Sequence, residues 1–290
     1  MCRFIGYLGH PLRLSQLITE PEHSLIQQSY HARERPEPLN GDGFGVAWFV
    51  PEFSPTPALF KDVSPAWSNE NLRELSKVTT SRCILAHVRA ASPQSPVHRL
   101  NCHPFSQSGL AFMHNGYLAD FGRWRRALLN GLSDSAFEVI RGSTDSEHAF
   151  ALFCDFYWKQ PEDAHPLARM TQSLFQTLRK LEQLRVESGV TSGSYFNFLV
   201  ADGENMVATR FASLDQGPPP SLHFASGRNL RCERGRIQLD QNQDEADVVM
   251  IVSEETGREF CWQEVPPNHF VLAQHPGEVE LRAIPDLTTD

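Results

Sequence analysis

The sequence contains no apolar run that approaches the roughly 18 residues a membrane-spanning helix needs. Its start, MCRFIGYLGHPLRL, lacks the basic region and the sustained apolar stretch of a signal peptide, and no Gly follows Met1 as N-myristoylation requires. Positive charge is also scarce, since 26 Lys and Arg stand against 35 Asp and Glu, a formal net charge of -9. That charge repels phosphate backbones and anionic lipids, so we expect a cytoplasmic protein without nucleic-acid or membrane partners.

Cysteine is sparse, and its spacing fits neither a disulfide framework nor a zinc site. The six cysteines are Cys2, Cys83, Cys102, Cys154, Cys232 and Cys261, and no two form a Cys-x-x-Cys pair. In a large chain without a secretory signal, disulfides are not expected. A metal site that uses Cys102, His103 and His87 is an alternative, but adjacent Cys and His do not have the spacing of zinc ligands. We therefore expect no metal and no cofactor.

One cysteine lies directly behind the initiator methionine. If Met1 is removed, Cys2 carries both a thiol and an α-amine, with reference pKa values of about 8.5 and about 8. Two such groups can exchange a proton near neutral pH, and an N-terminal amine is able to activate a nucleophile of this kind. The alternative is structural, because cysteine thiols are among the most buried side chains. Position alone favours that alternative.

The order of the predicted elements indicates an α+β fold. The apolar runs that predict strands in the first half are 3–9, 44–50, 82–90 and 110–118. The segments with helical spacing are 67–78, 142–160 and 165–187. The strand-rich last hundred residues contain a hairpin around Asp202-Gly203 and the runs 221–225, 247–254, 268–275 and 279–284. Strands, then helices, then strands predict a layered sandwich.

Local signals refine this outline. The Gly-rich stretch NGDGFG (40–45) predicts a turn into the second strand, and Thr144 with Glu147 predicts a capping box at the start of the second helix. The Pro-rich segments 51–57 and 215–221 both lie inside strand–strand connections, so neither separates two cores. We therefore expect one domain over residues 1–290.

Several polar groups lie where predicted elements begin or end. Arg89 follows a strand, where its guanidinium suits either a ligand carboxylate or a surface salt bridge. Asn115 and Gly116 end another strand and fit either a turn or an oxyanion hole with two convergent donors. Asp145 lies in a first helical turn, where the helix dipole stabilises a carboxylate with or without a ligand ammonium. His103 is most simply a structural histidine.

Taken together, and in this order, the motifs resemble the glutaminase domain of the class II glutamine amidotransferases. The motifs are Cys behind Met, NGDGFG, AHVRAAS, NCHPF, MHNGYL and STDSEH. That family belongs to the N-terminal-nucleophile hydrolases, so the resemblance implies a four-layer αββα sandwich. The tail IVSEETGREFCWQEVPPNHFVLA (251–273) is further similar to the stand-alone branch that contains the ergothioneine-pathway γ-glutamyl hydrolase.

The resemblance implies a role for each candidate residue. After Met1 is removed, Cys2 attacks the γ-carbonyl of a glutamine-like substrate, and its own α-amine moves the proton. Asn115 and Gly116 bind the oxyanion. The residues implied for the substrate pocket are Arg89 and Ser92 at the α-carboxylate, Asp145 at the α-ammonium, and His103 and Gly43 as shaping residues.

The sequence departs from the synthase-type domains at two positions. Ala90 replaces the Trp that follows the arginine in those domains, and Asn40 replaces an Arg before Gly41. These changes put in doubt the contacts that couple glutamine hydrolysis to a fused synthase. No Gly-rich phosphate loop occurs either, so we expect no fused synthase domain.

Three functions remain open at this stage. The chain is a hydrolase that cuts a γ-glutamyl amide and releases an amine larger than ammonia, a glutaminase subunit that passes ammonia to a separate synthase, or a catalytically silent scaffold. A scaffold has no chemical need for the nucleophile and the oxyanion donors together. The tail and the small Ala90 favour the hydrolase, because a smaller residue there opens the site to a larger substrate.

The expected partner is a small-molecule γ-glutamyl substrate, and a synthase or a second copy of the chain stays open. We expect the leaving amine to contact the loops 51–58, 93–100 and 213–220.

Overall fold

Two antiparallel sheets lie face to face in the centre of the molecule, and helices cover both outer faces. The computed structural model describes residues 2–34, 39–92, 95–213, 217–240, 246–257 and 261–287. The order of the layers is therefore helix, sheet, sheet, helix, which confirms the α+β class and the four-layer αββα sandwich of N-terminal-nucleophile hydrolases.

The first sheet has the N-terminal strand in its middle. In spatial order, its described strands are β10 (Arg236–Asp240), β9 (His223–Glu233), β11 (Val248–Val252), β1 (Arg3–Arg13), β4 (Thr80–Val88), β2 (Phe44–Trp48) and β3 (Ala58–Asp62), with β12 (Gln263–Glu264) beside β9. Arg3 lies opposite Val88 of β4, and Ile5 lies opposite Val252 of β11. Cys2, the residue before β1, is thereby placed where β4 and β11 both end.

The second sheet contains the predicted hairpin. In spatial order, its described strands are β14 (Glu278–Ala283), β13 (His269–Gln274), β8 (Asn205–Arg210), β7 (Tyr195–Ala201), β6 (Leu110–Tyr117) and β5 (Phe105–Gln107). The hairpin turn between β7 and β8 contains Gly203 with φ +103, a left-handed conformation that glycine adopts without strain. All the runs that predicted strands in the sequence are confirmed.

Seven α-helices are found in the described residues, on the two outer faces. They are α1 (Ser15–Ile18), α2 (Leu25–Tyr30) and α3 (Glu70–Val78) on the first sheet, and α4 (Phe121–Gly131), α5 (Asp134–Phe137), α6 (Asp145–Trp158) and α7 (Pro166–Glu187) on the second. The three predicted helices correspond to α3, α6 and α7. Among these helices, none combines the length and the apolar character that crossing a membrane requires.

The predicted capping box at the start of α6 is only half correct. Thr144 Oγ1 accepts the Glu147 N–H at 3.2 Å, as expected for an N-cap. The Glu147 carboxylate does not accept the backbone N–H of Thr144, as the second bond of a capping box requires. It accepts the N–H groups of Arg141 and Gly142 at 3.1 and 2.6 Å, because the chain before the helix folds back and presents two donors to it.

Side chains alternate between two cores along each central strand, as a period of two requires. In β1, Phe4 and Leu8 pack between the sheets, whereas Ile5 and Tyr7 pack under the helices of the first layer. In β6, Met113 packs between the sheets and Phe112 packs under α6. The same alternation continues to the end of β6, so His114 and Asn115 face opposite layers.

The end of β6 passes so close to β7 that only glycine fits. A Cβ atom on Gly116 would overlap the Tyr195 carbonyl oxygen and would lie 2.5 Å from His114 Nε2. Backbone cannot move aside as a flexible side chain can, so β6 and β7 would have to separate.

We expect Gly116→Ala to lower the free energy of unfolding by about 2 kcal/mol or more, because it forces an overlap with backbone. Gly131→Ala is the matched control, since nothing lies within 4 Å of a Cβ at that position in α4. Urea unfolding followed by circular dichroism measures both variants. Equal stabilities for the two would contradict the steric argument.

Candidate active site

One cavity of about 730 Å³ opens where β1 begins and where β4 and β6 end. Its wall contains six of the eight predicted site residues, namely Cys2, Arg89, Ser92, His103, Gly116 and Asp145. We call it the Cys2 cavity. The other two residues, Asn115 and Gly43, are not part of its wall.

Cys2 is the one cysteine in the described wall of this cavity, and its side chain is partly exposed. Its Sγ lies 3.7 Å from the Ala90 carbonyl oxygen, a weak contact that leaves the sulfur accessible. Burial raises the pKa of the thiols of Cys83, Cys102 and Cys154, which makes them poor nucleophiles. None of the six cysteines, all of which the structure describes, forms a disulfide.

Arg89 is a buried cation in the cavity wall. Its guanidinium donates to Ser95 Oγ at 2.6 Å and to the Pro96 carbonyl at 3.3 Å, and within the described residues no carboxylate lies at ion-pair distance from it. A buried charge with neutral partners retains donors for an anionic ligand. Ser95 was not a candidate in the sequence, since nothing local indicates that this loop turns back onto Arg89.

Gly43 supports Arg89 from behind the cavity. The Arg89 N–H donates to the Gly43 carbonyl at 2.8 Å, which fixes the backbone from which the guanidinium extends. Gly43 has φ +109, and a Cβ there would lie 2.6 Å from Cys102 Sγ. The requirement for glycine at this position is therefore conformational and steric.

Asp145 provides the opposite charge in the same cavity. It is the first residue of α6, and its carboxylate accepts the Leu118 N–H and the Ser146 N–H at 2.8 and 2.7 Å. These bonds fix the carboxylate between the end of β6 and the start of α6. Each carboxylate oxygen can accept more than one hydrogen bond, so acceptor capacity remains for a ligand ammonium group.

His114, which sequence reasoning missed, is a neutral ring that Ser146 connects to this carboxylate. Its Nε2 donates to the Tyr195 carbonyl at 2.9 Å, so its Nδ1 accepts from the Ser146 hydroxyl at 2.8 Å. Burial lowers the pKa of His114 and outweighs the nearby charge of Asp145, which acts in the opposite direction. The only local signal was its place beside Asn115 in MHNGYL.

The rings of His103 and His87 are in contact, with centroids 4.2 Å apart and planes tilted by 33°. Burial lowers the pKa of His103 well below its ordinary value and that of His87 to about 3, so both rings are neutral. Neither ring nitrogen of His103 has a hydrogen-bond partner in the part of the chain that the structure describes. In that same part, no group of three or more His, Cys, Asp or Glu residues is arranged to hold a metal ion.

Asn115 lies behind the cavity, between the two sheets, and its side chain is fully buried. Its Nδ2 is 3.4 Å from Ser253 Oγ, a hydrogen bond at the long limit, and its Oδ1 has no partner among the described residues. Ser253 Oγ also accepts the Phe4 N–H at 3.1 Å. The amide of Asn115 therefore points toward the strand that carries Cys2.

The outer part of the cavity is lined by the end of β6 and the first turn of α4. The residues there are Tyr117, Leu118, Asp120, Phe121, Gly122, Arg123 and Arg125. Of the loops expected at this end, only Ser95 and Pro96 contribute to the described wall. The prediction for 51–58 is wrong, because that loop lines a separate depression beside Asp202. Residues 93–94 and 214–216 lie outside the described residues.

Comparison with known proteins gives one consistent result. The family model for glutamine amidotransferases class-II matches residues 16–288. The "Probable glutamine amidotransferase DUG3" of Saccharomyces cerevisiae is 38% identical over 288 residues, which cover 92% of this chain and 80% of that protein. The "Gamma-glutamyl-hercynylcysteine sulfoxide hydrolase" of Mycolicibacterium smegmatis is 33% identical over 123 residues, 42% of this chain and 53% of that protein.

Solved structures agree with this. A glutamine aminotransferase class-II domain protein from Silicibacter pomeroyi superposes with a TM-score of 0.66 at 26% identity, covering 98% of this chain and 100% of that one. The glutamine phosphoribosylpyrophosphate amidotransferase of B. subtilis gives a TM-score of 0.56 at 16% identity, covering 98% of this chain and 49% of that one. The second likeness shows the fold alone.

Proposed function

Because the chain belongs to the class II glutamine amidotransferases and is therefore an amidohydrolase, we propose that it cleaves γ-glutamyl amides through a thioester on Cys2. The observation that carries the proposal is the Cys2 cavity, where a partly exposed thiol shares a wall with the opposite charges of Arg89 and Asp145. The glutamyl end of such a substrate carries a carboxylate and an ammonium on one carbon. A cavity with one buried cation and one fixed carboxylate is complementary to that pair.

In the first step, the Cys2 α-amine takes the thiol proton, and Sγ forms a bond to the γ-carbonyl carbon. The tetrahedral intermediate collapses as the carbon–nitrogen bond breaks, and the protonated Cys2 α-amine passes its proton to the leaving nitrogen. In the second step, water attacks the thioester carbon and gives a proton to the α-amine. The carbon–sulfur bond breaks, glutamate leaves, and the proton returns to the thiolate.

The oxyanion is assigned to Asn115 and Gly116. Gly116 lines the cavity, and among the described residues the Asn115 side-chain amide is engaged only by the long contact to Ser253. A weak contact of that length is readily exchanged for a shorter one to a charged oxygen, since catalytic hydrogen bonds often tighten only when substrate is bound. Two donors aimed at the developing charge supply the electrostatic stabilisation that acyl transfer needs.

The glutamyl end is assigned to Arg89 and Ser92 for the α-carboxylate and to Asp145 for the α-ammonium. Ser95 orients the guanidinium of Arg89 through its 2.6 Å hydrogen bond. His103 contributes a neutral ring to the cavity wall, and neither of its ring nitrogens has a hydrogen-bond partner among the described residues, so it offers hydrogen bonds without adding charge. The elements that supply these residues extend from β1 to α6, and we propose that residues 1–290 form one domain around the cavity.

The size of the cavity favours a substrate larger than glutamine. A volume of about 730 Å³ lies in the range of about 300–1,000 Å³ that holds drug-sized ligands. Beyond the glutamyl end, the wall presents the aromatic rings of Tyr117 and Phe121 and the exposed guanidinium groups of Arg123 and Arg125. We propose that the leaving amine carries a negatively charged group. The likeness to a γ-glutamyl hydrolase supports a γ-glutamyl conjugate as the substrate.

The nucleophile is tested first. Intact-mass spectrometry of active protein should show loss of Met1, because an internal Cys2 lacks the α-amine that the mechanism uses. Cys2→Ala should abolish glutamate release and leave the unfolding free energy nearly unchanged. Cys261→Ala, at an exposed cysteine outside the cavity, is the control and should retain activity. Full activity of a chain that retains Met1 would refute the assignment.

Kinetic measurements distinguish an oxyanion contact from a contact to the substrate ammonium group. Asn115→Ala should lower kcat by about a hundredfold or more, the usual loss for one oxyanion donor. Asp145→Asn should mainly raise KM, because the ammonium contact is present in ground state and transition state alike. Steady-state kinetics with L-glutamine or a γ-glutamyl peptide measures both. A change in KM alone for both variants would contradict this division of roles.

The leaving group is tested with L-glutamine, γ-glutamylglycine and γ-glutamylglycine amide. We expect the highest kcat/KM for γ-glutamylglycine, whose leaving amine carries a carboxylate. The double variant Arg123→Gln/Arg125→Gln should raise KM for that peptide and not for L-glutamine. Arg126→Gln is the control, since this exposed arginine of α4 is not part of the described wall.

A different outcome would identify the other function. If L-glutamine is clearly preferred and a co-purifying synthase raises its turnover, the chain is an ammonia-delivering glutaminase subunit.

A further inference from the structure

The Ser-Glu pair that follows β11 lies directly behind Cys2. Because Ile5 is opposite Val252 in the sheet, the next residues of the β11 chain run past the start of β1. Ser253 forms two hydrogen bonds with Phe4, its N–H donating to the Phe4 carbonyl at 3.0 Å and its Oγ accepting the Phe4 N–H at 3.1 Å. The following residue, Glu254, is thereby placed beside Arg3.

Glu254 is a buried carboxylate at the centre of a hydrogen-bond network. Its side chain is 2% exposed and that of Arg3 is 1% exposed. Its oxygens accept Arg3 Nε at 2.9 Å, His23 Nε2 at 2.6 Å and the Arg33 N–H at 2.7 Å. Burial raises the pKa of Glu254, but the hydrogen bonds from His23 and Arg33 and the charge of Arg3 outweigh it and lower the pKa to about 2.

The network ends on the nucleophilic residue. Arg3 Nη1 donates to the Cys2 carbonyl at 3.0 Å. Cys2 precedes β1, whose pairing with β4 starts only at Arg3, so the sheet does not fix the Cys2 carbonyl in the way it fixes its neighbours. With Nε bound to Glu254, the planar guanidinium has one orientation, and that orientation fixes the Cys2 carbonyl.

We propose that Glu254 is a positioning residue for the reaction: through Arg3 it fixes the backbone of Cys2 so that the thiol and the α-amine face the substrate carbonyl. This inference rests on the proposed function of Cys2. Ser253, its neighbour, contacts the Asn115 amide at 3.4 Å, so adjacent residues support the nucleophile and an oxyanion donor.

A contribution to stability does not by itself explain the buried Arg3–Glu254 ion pair. Moving two charges out of water is costly, and well-packed apolar side chains of similar volume often replace a buried ion pair without loss of stability. The ion pair is needed to orient Cys2, because apolar side chains in its place offer no donor to the Cys2 carbonyl. An error of about 1 Å in the placement of a reacting group costs about a hundredfold in rate.

The test uses the full chain and the double variant Arg3→Met/Glu254→Met, with Glu254→Gln as the single variant. Both should lower kcat for L-glutamine or γ-glutamylglycine by about 10- to 100-fold and leave KM within about twofold. The matched control is Glu182→Gln, which removes the negative charge paired with the buried Arg185 in α7, where the two groups are 3.0 Å apart. That control should leave kcat unchanged.

Hydrogen exchange gives a readout that does not depend on any substrate. Amides of the peptide 2–8 should exchange faster in Glu254→Gln and in the double variant than in the parent chain or in Glu182→Gln. Unchanged exchange there would overturn the inference, whatever the activity. Faster exchange with an unchanged kcat would overturn it too, since the network would then be merely structural.

A failure of the proposed function can be distinguished from a failure of the inference about Glu254. If the parent chain hydrolyses neither substrate, Cys2 is not the nucleophile of a γ-glutamyl hydrolase and the catalytic role of Glu254 falls with it. The exchange measurement still decides whether Glu254 fixes the N-terminal residue.

Discussion

If Met1 is removed, Cys2, the proposed nucleophile, has covalent support on one side only, and the central place of β1 in its sheet supplies the rest. Hydrogen bonds to β4 on one side and β11 on the other fix the strand from its first residues. The chain that follows β11 then extends this support to Cys2 through Ser253 and Glu254. An edge strand would leave one row of backbone groups unpaired and the terminal residue less restrained.

The charges around the cavity follow one pattern. The two charged groups proposed to bind the glutamyl end are both fixed by neutral partners on the protein side, Arg89 by Ser95 and Pro96 and Asp145 by two N–H groups. The neighbouring histidines are kept neutral by burial, so they add hydrogen-bonding capacity without competing for a charged ligand. Under the proposed function, both charges are therefore in place before a zwitterionic substrate binds, which would reduce the reorganisation that binding requires.

The sequence predicts the layers well because they depend on local periodicity. The central strands, the helices α3, α6 and α7, and the hairpin at Gly203 all have strong patterns within their own segments. The four-residue helices α1 and α5 are too short to show a period. The helix α4 was not predicted, although its buried residues Trp124 and Leu128 have helical spacing.

Long-range contacts explain what the sequence did not predict at the site. Gly43 lies behind Arg89, Asn115 points toward the other sheet, and the loop 51–58 lines a different depression. Each of these placements depends on how distant segments pack. The motif order identified eight candidate residues, six of which line the Cys2 cavity, whereas the directions of their side chains depend on alternation along β6 and on the fold of the loops.

The two ends of the cavity differ in how their charges meet the solvent. Arg89 is nearly enclosed, whereas Arg123 and Arg125 are exposed. Exposed charges are screened over a Debye length of about 8 Å at physiological ionic strength, and buried ones much less. Under the proposed function, the inner end would therefore bind the glutamyl group almost independently of salt, while its attraction for an anionic leaving group at the exposed arginines would weaken as salt increases. Ionic strength would then change the preference between substrates without altering the affinity for the glutamyl group that they share.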